Sequence, residues 1–411
     1  MDDCKFVMRF YYKKYIDFIA RRLFYIVISL FWGNRIQNAS LEKNLSYCSG
    51  KIKFYRNKGS DISGYKFIDK HDVKDSYEDF INNKYIIKFK SSTAGTSGTP
   101  FSFFRDLRCI FAEQYFQNLY FGWKNKYKVV FRGERIFRPG SNPRKIYKCI
   151  PFIREMYISA YHISDDGLDQ VVKELSGIKN KCLWAYPSTA YIFAQYCIKN
   201  QKDLSFDFVA TSSEMLFDWQ IEVIERAFKC QVKDWYGQAE RVAALYRCPN
   251  GNYHDVPNYS HIEFCICQGR LYEIAGTQYH NRIMPLVRYN THDLAELNET
   301  DCPCGKKGIN VKVIHGRIGD FIDTGTEVKT ATGLYCSFFK DARRIKEAQI
   351  CINQENKVLI KIVRENSFNE EDEELLIKTI NSHLPEGMFT IQYVSCLERN
   401  SSGKLNYVVH K

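Results

Sequence analysis

Two signals at opposite ends of the chain constrain its fold most. Ser92-Thr93-Ala94-Gly95-Thr96-Ser97-Gly98-Thr99-Pro100 is a run of hydroxyls and glycines with no lysine. Ser401-Ser402-Gly403-Lys404-Leu405, close to the C-terminus, sets a lysine on a small-residue turn. Glycines free the backbone so that N–H groups can converge on an anion, and short hydroxyls can donate to phosphate oxygens. Alone, the first is a surface turn and the second a solvated charge. Together they predict one segment that holds phosphates and a separate, mobile segment that brings the cation. Such a chain needs two units.

Size agrees. A chain of 411 residues exceeds one simple core and suits a large domain with a smaller one. An apolar content of 45% and a charged content of 26% describe a folded globular protein. The net charge of +12 invites a nucleic-acid reading. Lys and Arg are interleaved with Asp and Glu, however, and no helix-turn-helix, zinc-finger or RNP signature is present. The basic balance therefore suits small anions or an anionic membrane face, and no nucleic-acid partner is expected. Fifteen cysteines, an odd number, follow an acidic start at Asp2 and Asp3 without a small-residue cleavage site. That combination predicts a reducing, cytoplasmic setting in which cysteines are core residues or metal ligands.

Residues 1–35 are expected to hold an amphipathic helix. Ile16, Ile19, Ala20, Leu23, Ile26, Val27 and Leu30 recur at helical spacing among Lys13, Lys14, Arg21 and Arg22. The unbroken apolar part, Leu23 to Trp32, is too short to span a membrane, which takes roughly 20 residues. The helix either packs on the domain or rests peripherally on the inner membrane face.

Residues 84–90 read as a strand running into the hydroxyl-rich loop. Leu168, Val171, Val172, Leu175 and Ile178 share one helical face. Further helices are expected from Pro187-Ser188, with Ile192, Phe193, Tyr196 and Cys197 inward, and over 218–228. A strand over 231–235 then leads to a turn at Tyr236-Gly237. Helices alternating with short β-rich runs predict an α/β body. Beyond Arg317 a glycine-punctuated stretch to Gly333 precedes a helix-like segment and a strand at 357–363. A helix over 369–384 and a strand at 390–394 follow. Glu370 to Glu374 fall where a helix N-terminus favours negative charge. The expected fold is a large multi-sheet α/β N-terminal domain, residues 1–318, with a small mobile α+β C-terminal domain, residues 319–411.

Five motifs follow one another in order. They are Thr93–Pro100; Tyr236-Gly237-Gln238-Ala239-Glu240; Tyr289-Asn290-Thr291-His292-Asp293-Leu294; Gly316-Arg317-Ile318-Gly319-Asp320; and Gly403-Lys404. From about residue 85 onward the chain thereby resembles the adenylate-forming superfamily of acyl-CoA synthetases, adenylation domains and luciferases. The likeness is greatest to phenylacetate–CoA ligases and their relatives from capsular polysaccharide loci. A Walker A loop is excluded because no Gly-Lys-Ser/Thr follows the glycines, and the spacing misses a nucleophile elbow.

The resemblance implies a role for each motif. Thr93, Gly95, Thr96, Ser97, Gly98 and Thr99 would hold the phosphates of ATP. Ser213 and Glu214, in Thr211-Ser212-Ser213-Glu214, would belong to the adenine-pocket loop. Tyr236 with Gly237 would meet adenine, and Glu240 would bind Mg²⁺. Asp293 would accept the ribose hydroxyls, and Arg317 would contact ribose or phosphate. Lys404 would be the catalytic cation. Four positions depart from the family pattern: Ala94, Ala239, His292 and the hinge position Gly319. Tyr186, Ser188 and Phe217 are candidates for the acyl pocket.

Cys302-Pro303-Cys304 presents two thiols on a tight turn, and Cys248 and His254 lie just beyond the Tyr236–Glu240 motif. Three Cys and one His suit tetrahedral Zn²⁺. Similar elements in the phenylacetate–CoA ligase relatives imply a structural zinc that braces the loops carrying Glu240 and Asp293. The implied activity is ATP-dependent activation of a small carboxylic acid to an acyl-adenylate. Transfer to CoA, a carrier thiol or an amine such as a sugar precursor would follow, in capsule or surface polysaccharide biosynthesis. The alternative is a catalytically impaired nucleotide-binding scaffold of envelope polysaccharide assembly, because Ala94, Ala239 and His292 weaken phosphate and turn positions.

Overall fold

The computed structural model describes residues 9–15, 36–93, 101–138, 141–317, 321–323, 328–342, 344–353, 355, 357–400 and 403–410. The segment predicted as an N-terminal helix is therefore described only over 9–15, where it is helical. Phe10 is buried there edge-on to Tyr157, and Lys14 pairs with Glu134 at 3.1 Å while lying over the Tyr157 ring. One lysine of the basic face is thus spent on the body.

The body holds β1 (Phe89–Thr93) and β2 (Phe101–Arg105), paired antiparallel as a separate ribbon. Twelve further strands form one sheet. In chain order they are β3 (Tyr127–Phe131), β4 (Tyr147–Ile150), β5 (Glu155–Ile158), β6 (Lys181–Ala185), β7 (Val209–Ser212) and β8 (Val232–Gly237), then β9 (Ala244–Arg247), β10 (Tyr253–Asp255), β11 (Ser260–Gln268), β12 (Leu271–Gln278), β13 (Tyr289–Leu297) and β14 (Val311–Arg317). Across the sheet their order is β11-β12-β13-β14-β10-β9-β8-β7-β6-β3-β5-β4. Five neighbours, β5-β3-β6-β7-β8, run parallel, and the flanking pairs are antiparallel.

Helices cover both faces of the parallel block, as buried parallel strands require. Numbered along the chain, α1 is Leu41–Lys51, α2 is Lys70–Asp75 and α3 is Leu107–Phe121. The next three are α4 (Asp165–Leu175), α5 (Pro187–Lys199) and α6 (Asp218–Phe228). One face packs Leu168, Phe193, Ile224 and Phe228 from α4, α5 and α6 against Val129, Leu183 and Val209. The other packs Phe111, Ala112 and Phe116 of α3 against Cys182, Ala210 and Trp235. The period-two alternation of the strands splits these residues between two cores, each large buried side chain contributing about 1.5–3 kcal/mol. Local signals set the helix starts. Ser164 caps α4 by accepting the Gly167 N–H, and Pro187 opens α5 at a position that needs no N–H donor.

The smaller C-terminal unit has β15 (Phe321–Asp323) and β16 (Val328–Thr330) paired antiparallel, then α7 (Ala331–Phe339). Its four-stranded sheet is ordered β19-β18-β17-β20, from β17 (Ile345–Ile352), β18 (Val358–Arg364), β19 (Phe389–Tyr393) and β20 (Val408–His410). Helix α8 (Glu370–Asn381) starts in a capping box between Asn369 and Asp372, with Glu370, Glu371, Asp372 and Glu373 in its first turn. Ile350, Ile360, Ile362, Leu376 and Ile380 build the core, and Phe217 from the body is buried within it.

Two segment expectations change in the body. The strand predicted at 84–90 begins only at Phe89, where Arg105 becomes available as a pairing partner; Ile86 and Ile87 are 97% and 65% exposed. The Tyr236-Gly237 turn is the end of β8, where both residues pair with β9.

Candidate active site

Ligands of open α/β sheets bind beyond the carboxyl ends of the parallel strands. Here those ends deliver Arg132-Gly133 after β3, Tyr186 after β6, Ser213-Glu214 after β7 and Gln238–Glu240 after β8. Arg132 donates to the Ser213 hydroxyl at 2.8 Å, and its Cζ lies 4.5 Å from the Trp184 ring centre and 4.9 Å from that of Tyr186. Ser213 holds a φ of 73°, a left-handed conformation that costs on the order of 1 kcal/mol at a non-glycine residue. Sequence reasoning missed Arg132; the signal available was a lone cation followed by glycine at the end of an apolar strand.

The residues assigned to adenine and ribose meet directly. The Tyr236 hydroxyl donates to Asp293 Oδ2 at 2.9 Å and accepts from the Gln238 amide at 3.0 Å. Burial, reinforced by the Asp293 charge, drives the Tyr236 phenol far above its usual range, so it stays a neutral donor. Arg317 ends β14 opposite Asp293 in the antiparallel ladder, which sets the third and fourth motifs side by side through their backbones. The Glu240 carboxylate is buried and accepts from the Tyr289 hydroxyl at 3.3 Å, while its carbonyl accepts from Gln278. Thr93, the first residue of the glycine- and hydroxyl-rich segment in the phosphate assignment, pairs with Phe101. Gly95, Thr96, Ser97, Gly98 and Thr99 lie outside the described residues, as do Ala94, Ile318 and Gly319.

Two departures have local explanations. Ala239 packs beside the apolar cluster of Phe101, Ile283 and Tyr289, and its carbonyl accepts from Arg105 at 2.5 Å. His292 keeps the positive φ that a glycine would supply, at 58°. Its ring sits between two carboxylates, 3.4 Å from Asp69 and 3.4 Å from Glu273, and its backbone N–H donates to Asn290 Oδ1 at 2.9 Å, contacts that hold the turn in place of a glycine.

Lys404 reaches this edge from the C-terminal unit. Its ammonium lies 6.0 Å from the centre of the Tyr186 ring. Gly403 has φ 75°, and a Cβ there would stand 2.6 Å from Gly133 Cα and 3.0 Å from the Tyr161 hydroxyl, so only glycine fits. Asn400 closes the turn by accepting the N–H groups of Gly403 at 2.8 Å and Lys404 at 3.1 Å. Glu214 accepts the Leu405 N–H at 2.8 Å and the Ser188 N–H at 3.1 Å, so its side chain meets the C-terminal unit. Burial raises its pKa, while Arg399 and both N–H donors act to lower it. Of the acyl-pocket candidates, Tyr186 is buried beside Arg132. Ser188 and Phe217 contact the C-terminal unit instead: Arg399 donates to the Ser188 hydroxyl at 3.2 Å, and Phe217 stacks on Tyr335.

Cys248, His254, Cys302 and Cys304 converge, with their ligand atoms all within 4.8 Å of one another. Cys248 and Cys302 Sγ are 3.7 Å apart, and Cys304 Sγ is 3.3 Å from His254 Nε2. Zn–S bonds of about 2.3 Å in a tetrahedron set sulfurs roughly 3.8 Å apart, so the spacing fits that metal. His254 Nδ1 lies 2.8 Å from the Ile309 carbonyl, which fixes the ring with Nε2 turned to the cluster. Burial raises the Cys302 thiol, but donors from the Cys304 backbone and the Asn252 amide outweigh it and hold it at about 6.

Comparisons with known proteins bear on the fold. The chain aligns over 90% of its length with 2-hydroxyisobutyryl-CoA ligase in the postadenylation state, covering 88% of that chain at 15% identity and a TM-score of 0.64. The same ligase in its thioesterification state matches at 16% identity with a TM-score of 0.50 over the same coverage. An amide bond synthetase, McbA from Marinactinospora thermotolerans, matches with a TM-score of 0.53 at 12% identity over 76% of this chain and 66% of that one. The chain therefore has the fold of the adenylate-forming ligases. Residues 328–411 match the family described as the CapK C-terminal domain, and the chain is 24% identical over 400 residues to Protein CapK of Staphylococcus aureus. That alignment covers 91% of this chain and 88% of the relative, and it bears out the resemblance drawn from the five motifs.

Proposed function

We propose that the chain activates a small carboxylic acid with ATP. A carboxylate oxygen attacks the α-phosphorus, an acyl-adenylate forms, and pyrophosphate leaves. One observation carries this reading: the C-terminal turn sets the Lys404 ammonium over Tyr186, at the carboxyl edge of the parallel strands. A cation fixed there stabilises the charge that builds between the carboxylate and the α-phosphate. Tyr236 and Asp293 would take adenine and ribose, exchanging their mutual hydrogen bond for bonds to the nucleotide. Glu240 would hold Mg²⁺, which would supply positive charge facing the departing pyrophosphate. Cys248, His254, Cys302 and Cys304 would hold a structural Zn²⁺.

In this reading residues 1–318 form the body and residues 319–411 a lid that turns about Gly319. Turning withdraws Lys404 and admits the acceptor, a thiol of CoA or a carrier, or an amine. The capsular-locus relatives named above and the identity with Protein CapK support a place in surface polysaccharide biosynthesis.

Carboxylate-dependent ATP–pyrophosphate exchange tests the proposal. Lys404→Ala should lower exchange by about 100-fold or more while the protein stays folded. Wild-type exchange in that variant removes Lys404 from its role. Glu240→Gln should shift the Mg²⁺ titration of exchange to higher concentration, and an unmoved titration argues against metal at that carboxylate.

A further inference from the structure

We propose that Glu214 is the positioning residue that seats Lys404, with Arg399 completing the clamp from the lid side. The assignment deepens the adenylation reading above and rests on it for the role of Lys404, though the clamp itself is read from geometry alone.

One carboxylate joins the two units. Oε2 accepts the N–H of Ser188, in the first turn of α5, at 3.1 Å. Oε1 accepts the N–H of Leu405, the residue directly after Lys404, at 2.8 Å. A helix N-terminus offers unpaired N–H groups and favours a negative charge, so the body holds Glu214 in place before the lid arrives. Arg399 then reaches across. Its Nη1 donates to the Ser188 hydroxyl at 3.2 Å, and its Nη2 to Glu347 of the lid at 2.6 Å. Ser188 is thereby gripped through both its N–H and its hydroxyl, once from each side of the interface.

The clamp acts at the right place. Beside it Gly403 closes on Gly133 without room for a side chain, and Gln220 of the body donates to the Tyr407 hydroxyl at 3.1 Å. Holding the N–H of Leu405 fixes the peptide that leaves Lys404, and so fixes where its side chain starts. Contacts further out, such as Phe217 against Tyr335, hold the lid down without setting the lysine register.

A glutamine at position 214 keeps the shape of the side chain but turns one acceptor into a donor that faces an N–H. Glu214→Gln should therefore lower ATP–pyrophosphate exchange by roughly 10- to 100-fold, as loss of a charge-assisted hydrogen bond predicts. In Arg399→Gln, consumption of a chemically made adenylate, of whichever panel acid gives the most exchange, should stay within about twofold of wild type. In Glu214→Gln, hydrogen exchange of the full-length protein should speed up at the Leu405 amide. Arg399→Gln should act in the same direction more weakly, and the double variant should be no worse than Glu214→Gln, as for residues acting through one clamp. Unchanged Leu405 protection in both variants overturns the proposal, as does an equal fall of both half-reactions. Should wild-type protein exchange pyrophosphate with no acid while Leu405 protection still depends on Glu214, the clamp stands and the adenylation reading falls. If Glu214→Gln does not fold, Arg399→Gln carries the hydrogen-exchange test by itself.

Discussion

A single glycine shows how closely the lysine turn is specified. Gly403 needs both its positive φ and its bare α-carbon, since Gly133 lies where a methyl would go. Gly403→Ala should cost about 1–2 kcal/mol from the left-handed backbone alone, with a further loss as the lid lifts off Gly133. Thermal unfolding reads the first effect and pyrophosphate exchange the second; a variant normal in both means the turn has another way to dock. The motifs that carry Tyr236, Asp293, Glu240 and Lys404 could be picked out of the sequence because they come in a fixed order, and Tyr236 and Asp293 meet in the fold. Arg132 and Arg399 could not be picked out. Each is a lone cation whose meaning comes from partners distant in the chain: Arg132 from Trp184, Tyr186 and Ser213, and Arg399 from Ser188 and Glu347.

Helices were read better than strands, and the cause is range. The periodicity of α4 and the acidic start of α8 are local properties, and both helices lie where that pattern puts them. Strand β17 fell within a segment read as helix-like, because nothing local shows that β18 and β20 flank it. The cysteine–histidine cluster is the opposite case, since its ligands come from separate segments yet their residue types announce them. Cys304→Ser should lower zinc content as measured by elemental analysis, and chelation of the wild type should lower its Tm. Zinc-free wild-type protein of undiminished Tm removes the metal from the architecture. Phe217→Ala tests lid docking at the same scale. Truncating an aromatic buried in the lid core should cost about 3–5 kcal/mol, read by chemical denaturation, and a cost under 1 kcal/mol makes that contact incidental.

Across the whole molecule, buried titratable groups set how stability answers pH. His280 is buried against Phe116 and Tyr259, and its Nε2 donates to the Asn258 carbonyl at 2.8 Å. Burial, with help from Arg108 and Arg282, pushes its pKa down to about 3. The unfolded chain takes up that proton near the ordinary value, so stability falls as pH drops below about 6.5, by roughly 2 kcal/mol at pH 5. Asp234 works in the other sense. Burial raises its carboxyl to about 6 against donors from Thr211 and Tyr253, so its contribution is complete below the ordinary carboxylate range and is lost as pH rises through 6. His280→Gln should remove the histidine part of the slope between pH 7 and 5, as measured by denaturation at each pH; an unchanged slope means the ring is protonated in the fold. The sheet order that brings these groups together was not legible, since β14 joins β10 and β3 lies between β5 and β6 through pairings remote along the chain. One rung of that sheet reaches further. Arg317 closes β14 directly across from Asp293, so the last residue of that strand and the carboxylate assigned to ribose in the proposal above are joined through the backbone ladder rather than through side chains. On the proposed function, nucleotide grip and lid attitude would share a mechanical linkage one ladder step long.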